Sequence, residues 1–317
     1  MKKFLNFIVI ALCACAAIAL AAKPDVFVSS ALNGIKLWAV IVLPALLPFF
    51  FLTALASALG LTRATAKLAG KPFSKIFRTS GVCAYAFVTS VLSGYPVGAK
   101  IISDLKTQGL ISTDEATRAA TFCSTSGPLF IVGSVGYGMF SSKNAGFKIL
   151  ICHVLSAVIC GLVFRFYGKR ETSDNRLIYP LNNADNILYD CVYSSVVSVA
   201  VVGGFICVFY LFADTLEYFG VIAFSAKPLA AIIKNERLAN AVAGGAIECT
   251  RGCKLLSLCG TNKITVSLAC GLVSFGGVSV IVQSIAFLQK AKVKIAVFLS
   301  SKIIQTITAF LLCLLLY

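Results

Sequence analysis

An apolar stretch too short to cross a membrane, followed at once by a turn, restricts this chain more than any other feature. Residues 80–92 are apolar, but about 13 residues cannot cross a hydrocarbon core that takes about 20 in a helix. Ser93-Gly94-Tyr95-Pro96 ends the run, and Val97-Gly98-Ala99-Lys100 follows. Backbone that stops inside a bilayer must be satisfied by neighbouring protein, so the segment has to turn back. A re-entrant hairpin over residues 80–108, with its tip at 93–96, meets both conditions.

The rest of the chain supplies that surrounding protein. Of its 317 residues 59% are apolar and 13% charged, and there is a single His. This is the composition of an all-α polytopic membrane protein and excludes an ordinary soluble domain. The net charge of +16 lies mostly in short loops between apolar spans, which points to an anionic lipid surface and not to nucleic acid. Thirteen Cys with no C-x-x-C pair form neither a zinc site nor a secreted disulfide framework and read as small buried hydrophobes. No G-x-S-x-G, P-loop or H-E-x-x-H sequence is present, so no enzyme is expected and no cofactor is implied.

Taken in order, residues 1–28 hold an N-terminal span at 4–22, with Ala19, Ala21 and Ala22 placed to suit a signal peptidase; a retained helix is favoured over cleavage. A long span at 35–60 carries Pro44 and Pro48. Residues 61–78 alternate Arg63, Lys67, Lys71, Lys75 and Arg78 with apolar residues, as an interfacial helix does. After hairpin 1, a crossing at 114–140 starts at a cap, Ser112 or Thr113 with Glu115 behind it, and is broken at Ser124-Thr125-Ser126-Gly127-Pro128. A regular span at 144–167 closes a first repeat, residues 29–167. A polar linker follows at 168–187.

The plan then recurs over 188–317: a span at 188–217, a partly polar connection at 219–237, a hairpin at 238–258, a helix at 262–287 broken at Ser274-Phe275-Gly276-Gly277, and a span at 291–317. Three crossings and one hairpin in each half invert the second repeat relative to the first, as in secondary transporters. With the amino terminus inside, the inner face collects Lys2, Lys3, Arg63, Lys67, Lys71, Lys75, Arg78, Lys106, Arg165, Lys169, Arg170, Arg176, Lys290, Lys292 and Lys294. The outer face receives Lys23, Lys143, Lys227, Lys234, Arg237 and Lys263, so the amino terminus and the linker are expected in the cytoplasm.

Four breaks at corresponding places are expected to meet near the midplane, where half-helix N-termini attract anions and unwound carbonyls attract cations. The candidate substrate-binding residues are Ser93, Gly94, Tyr95 and Lys100 of the first tip, Thr125, Ser126 and Gly127 of the first break, Glu248, Thr250 and Lys254 of the second tip, and Ser274, Gly276, Gly277 and Gln283 of the second break. Two readings stand for Lys100 and Lys254: snorkelling to the interface, or holding a substrate carboxylate. Glu248 needs a partner or a proton in an apolar hairpin; Arg251, three residues on, is the bland partner, and proton coupling or a substrate donor the functional ones. The hydroxyls are either glue between helices or lining, with lining favoured beside the Gly-Pro and Gly-Gly breaks. Tyr95 suits stacking on a flat ring, and His153 reads as a packing residue.

Gly94-Tyr95-Pro96-Val97-Gly98-Ala99-Lys100, the run Phe122 to Phe140 around Ser124-Thr125-Ser126-Gly127-Pro128, Glu248-x-Thr250-x-Gly252-x-Lys254 and Ser274-Phe275-Gly276-Gly277-Val278-Ser279-Val280 with Gln283 after it resemble the nucleoside-recognition (Gate) domain membrane proteins, and within them the YlbJ/SpoVV sporulation branch. Two positions depart from that pattern: Ile281 stands where the last motif carries His, and Ala246-Ile247 where an aromatic precedes the hairpin Glu. The resemblance implies a concentrative-nucleoside-transporter-like fold and an inner-membrane transporter; for the sporulation branch it implies movement of dipicolinic acid at the mother-cell-derived outer forespore membrane.

The residues and the resemblance together lead to an expected secondary transporter of a small planar organic anion, with dipicolinate the first candidate. The surplus of Lys100, Arg251 and Lys254 over Glu248 favours an anion. An ion-coupled nucleoside or nucleobase permease and a non-transporting scaffold are the alternatives. The coupling ion, Na+ or H+, and self-association into a homo-oligomer stay open.

Overall fold

The computed structural model describes residues 23–169 and 186–317, with Ala14, Ala17, Ile18 and Ala21 before them. The N-terminal span expected at 4–22, with the question of its cleavage, and nearly all of the linker at 168–187 fall outside the described residues. Every regular element among the described residues is helical.

The first run starts at Pro24, whose fixed φ suits an opening helical turn, and not at residue 35 as expected: α1 (Pro24–Leu37) continues through a π-helical turn (Trp38–Val42) into α2 (Leu43–Ala58). The axis bends by 51° between Phe27–Val42 and Leu46–Ala56. Pro44 and Pro48 account for the bend, because each removes an N–H donor and pushes on the preceding turn.

The expected interfacial helix is α3 (Leu61–Phe77), and it meets α4 (Val82–Ser93) at 98°, measured between Lys67–Phe77 and Val82–Ser93. Phe73 and Phe77 fill the corner with Phe87 and Phe122; the Phe77 and Phe122 rings stack at 4.6 Å. The hairpin reverses at Gly94-Tyr95-Pro96, where the Tyr95–Pro96 peptide is cis, and returns as α5 (Val97–Thr107).

Ser112 caps α6 (Thr113–Ala120) by accepting the Glu115 N–H at 3.2 Å. The chain then unwinds through residues 124–127 and resumes as a π-helical stretch, Leu129–Met139. The crossing expected at 114–140 is therefore two short pieces around an open break, and α7 (Lys143–Phe164) is an unbroken span.

In the second half, α8 (Ile187–Tyr218) is followed by α9 (Val221–Ile233). The connection expected to be partly polar at 219–237 is thus a short apolar helix. Hairpin 2 consists of α10 (Glu236–Ile247) and α11 (Cys249–Leu258), and α12 (Lys263–Phe275) and α13 (Gly277–Leu288) flank the second break. The chain ends in α14 (Ile295–Leu316).

The backbone repeats its landmarks as well as its elements. Among the described residues the non-Gly residues with positive φ are Arg78, Ser141, Lys234 and Lys292. They fall in pairs: Arg78 and Lys234 end α3 and α9, while Ser141 and Lys292 precede α7 and α14. Both α3 and α9 begin after a left-handed Gly, Gly60 or Gly220, and carry an internal Pro, Pro72 or Pro228. The returning arm of each hairpin packs on the broken helix of the other half, α5 on α13 and α11 on the Leu129–Met139 stretch.

Among the described residues four helical runs are long and apolar enough to cross a membrane, α7, α8, Lys263–Leu288 and α14, and up to six if the bent α1–α2 and α3–α4 pairs are each counted as one span. Broad apolar faces lie outward on them, among them Leu188, Tyr189, Val192, Ile303, Ile307 and Leu315, which lipid would cover. The protein is a multi-pass membrane protein by these spans.

Candidate functional site

The two hairpin tips, the first break and α13 border one partly open cavity of about 50 Å³. Its polar wall is built by Ser93, Gly94 and Tyr95 of tip 1, Ser126 and Gly127 of break 1, Glu248, Cys249 and Thr250 of tip 2, and Ser279 and Gln283 of α13. Val42, Leu46 and Phe50 from the α1–α2 bend and Val202 and Ile206 from α8 make the apolar wall. Pockets that hold a drug-sized ligand run from about 300 Å³ upwards, so this one has room for a few waters and a ring-sized solute requires the walls to part.

Glycine lets the tips approach so closely. A Cβ on Gly94, whose φ is 82°, would lie 2.6 Å from the Gly127 nitrogen, and one on Gly98 would lie 1.7 Å from the Cys123 carbonyl oxygen. The sequence motif thus encodes contact between backbones, which no side chain could replace.

Glu248 is 1% exposed and sits between α10 and α11. Its carboxylate accepts the N–H groups of Thr250 at 3.1 Å and Arg251 at 2.6 Å, capping α11. Arg251 does not pair with Glu248: its guanidinium turns to α8 and holds Asp214 at 2.7 Å and Glu217. Ser30 of α1 donates to the other oxygen of Asp214. This joins hairpin 2 to α8 and α1, beside the apolar wall. Replacing Arg251 by Ala is expected to cost about 1–3 kcal/mol, most of it from Asp214, because Glu217 is 52% exposed and solvent screens it. A thermal-unfolding cycle with Asp214→Asn would show coupling between the two residues; additive losses would mean that the pair contributes nothing.

Lys100 and Lys254 are not in the cavity. Lys100 is exposed and Lys254 half-buried on the returning arms, because a helix that starts at a tip points its next turn away from it. Thr125 also turns away: it is fully buried, and its hydroxyl meets Ser90 of α4 at 2.8 Å while its N–H donates to the Ser90 hydroxyl. Ser274, Gly276 and Gly277 stand behind the wall. Gly276 and Gly277 both have positive φ, and Ser274 bonds the His153 Nδ1 at 2.8 Å. Ser93, Gly94, Tyr95, Ser126, Gly127, Glu248, Thr250 and Gln283 are the sequence candidates that the fold brings together at the cavity.

His153 is the packing residue expected of it, with a specific task. Its Nε2 accepts the Ser126 N–H at 2.9 Å, so Nδ1 carries the proton and donates to Ser274. One imidazole of α7 thereby fastens break 1 to break 2.

Lys302 of α14 escaped the sequence reading, which took residues 291–317 as an ordinary span. It is 1% exposed and reaches Tyr95 Oη at 3.2 Å, the Ser124 carbonyl and Gln305 Oε1 at 3.1 Å. Tyr95 in turn donates to the Val273 or Ser274 carbonyl at 3.3 Å. The available signal was a lysine followed three residues later by Gln in an otherwise apolar run. Asp214, Cys249 and Ser279 were missed as well, for want of any break next to Asp214 and of charge on the other two.

The chain is 29% identical over 320 residues to the sporulation integral membrane protein YlbJ of Bacillus subtilis (strain 168), across 93% of this chain and 78% of that protein. The resemblance to YlbJ drawn from the motifs therefore extends over nearly the whole chain. No family model matches the chain, and no solved structure matches it.

Proposed function

We propose that this chain is a secondary transporter that moves a small planar organic anion by alternating access through the cavity between the hairpin tips. The observation that carries the reading is the convergence of both hairpin tips, the first break and α13 on one small, partly open cavity, where Glu248 and several hydroxyl and amide groups stand in a largely apolar lining. Irregular backbone at membrane depth persists only where it lines a cavity or is buried in protein. The paired landmarks of the two halves support an inverted repeat, and the cation count supports a cytoplasmic amino terminus.

An anion finds donors here without Lys100 or Lys254. The half-helices beginning at Val97, Leu129 and Gly277 carry no side-chain cap, which leaves N–H groups at the positive ends of their dipoles. Glu248 occupies the fourth such end and accepts only, so the solute turns a donor or a protonated group towards it. A flat ring with carboxyl groups fits that polarity, with Tyr95 beside it for stacking. Dipicolinate, implied by the family resemblance, is the first solute to test, and the relative's name as a sporulation membrane protein agrees with that choice; the membrane is then the outer forespore membrane, and lipid and solute are the only partners required.

Cys249 offers the experiment. With Cys249 as the sole cysteine, reaction with a small charged thiol reagent should slow in the presence of dipicolinate, and liposomes bearing the protein should take up labelled dipicolinate saturably. Protection and uptake by nucleosides alone would replace this reading with a nucleoside permease; no saturable flux of either class would leave a scaffold. Lys100→Gln is expected to transport at the wild-type rate, since its side chain is exposed on α5; a tenfold loss would return Lys100 to the site.

A further inference from the structure

Lys302 has no role in the site as proposed, yet it is the most completely coordinated cation among the described residues. An ammonium has three protons, and here they go to three neutral oxygens: the Ser124 carbonyl, Gln305 Oε1 at 3.1 Å and Tyr95 Oη at 3.2 Å. Among the described residues no carboxylate pairs with it. A buried charge without a counter-ion is costly unless its surroundings are built for it. These surroundings are: the Ser124 carbonyl is freed by the unwinding of break 1, and the Ser124 hydroxyl is buried with no partner.

Carbonyl, amide and hydroxyl oxygens gathered at an unwound helix are the ligands by which proteins hold hard cations without carboxylates. We propose that the Lys302 ammonium is the tethered occupant of an alkali-cation site formed by Ser124, Gln305 and Tyr95, so that this chain works without a bound Na+. The statement about solute movement rests on the transport reading above; the statement about the oxygen cage does not. The cage joins tip 1, break 1 and α14. Tyr95 belongs to both cage and cavity, so a cation here holds the first tip against break 1 and α14. A lysine does this permanently, whereas a free ion would come and go with the transport cycle.

The test uses the purified full chain in detergent and reads cation binding directly. The wild type is expected to unfold at the same temperature in sodium chloride as in choline chloride and to bind no radioactive Na+. Lys302→Ala empties the cage and should create Na+ dependence: saturable Na+ binding and a Tm rise of about 1.5 °C or more over choline, the size that a ligand at several times its Kd gives a chain of this length. Lys302→Thr, which leaves a hydroxyl in the cage, should respond in the same direction.

Folded variants that ignore Na+, Li+ and K+ alike would overturn the proposal. So would saturable Na+ binding by the wild type that Gln305→Ala abolishes. Should neither variant fold, binding to the wild type decides: none supports the tethered occupant, and saturable binding refutes it. Failure of the transport reading would look different, since a chain that moves no solute in liposomes would still give the cation results expected here.

Discussion

Gly98→Ala is expected to abolish the folded protein. The added methyl would stand 1.7 Å from the Cys123 carbonyl oxygen and 2.7 Å from the Ser90 hydroxyl oxygen, distances closer to bonds than to contacts. Neither neighbour can yield cheaply, because the Cys123 oxygen is backbone in the bend after α6, where the Cys123 N–H is bonded to the Ala119 carbonyl, and Ser90 is bonded to Thr125. Relief would require moving α5 off the first break by more than an ångström, which puts the cost above about 4 kcal/mol. The measurement is the yield of monodisperse protein in detergent and its Tm. Gly204→Ala on α8 is the control: nothing lies within 4 Å of its added methyl, and replacing Gly in a helix should stabilise by up to about 1 kcal/mol. A Gly98→Ala protein that purifies and melts like the wild type would show that tip 1 does not press on break 1.

The second large effect is on transport. Glu248→Gln should reduce solute flux at least about tenfold, equivalent to ~1.4 kcal/mol, while leaving most of the protein folded. The carboxylate accepts two backbone N–H groups, and an amide accepts one and turns its NH2 on the other, so α11 loses part of its cap at a cost of about 1 kcal/mol. The larger loss is the acceptor offered to the solute on the only charged side chain in the cavity wall. Flux into liposomes, normalised to the amount of correctly folded protein, separates the two effects. Glu248→Asp keeps the charge and should recover part of the flux. Wild-type flux in Glu248→Gln would remove the carboxylate from the site.

Most of the chain's plan was legible from where hydropathy fails. The failed span at 80–92, the Ser124–Pro128 and Gly276-Gly277 breaks and the second hairpin all appear as helices ending where expected, because lipid leaves the backbone no partner outside its own helix or the neighbouring protein. Glycine and proline mark those stops for local steric reasons that need no tertiary information. The long α1–α2 run was less legible: apolar sequence continues through Pro24–Ala58, and hydropathy cannot say which residue starts a helix or that a π turn will absorb two prolines.

What each side chain faces was decided by the fold alone. Glu248 sits at its tip and lines the cavity, whereas Lys100, four residues beyond Pro96 on α5, is exposed, since one turn of a helix carries a side chain to different surroundings without changing the pattern of apolar residues. Arg251 has a carboxylate three residues before it and takes two others from α8, more than thirty residues away in sequence. Lys302 meets Tyr95 and Ser124 across some two hundred residues. The sequence by itself determined that the chain must bury broken backbone inside a membrane, because that follows from the solvent. Which charge is placed against which break depends on packing between distant helices, and only the tertiary structure settled it.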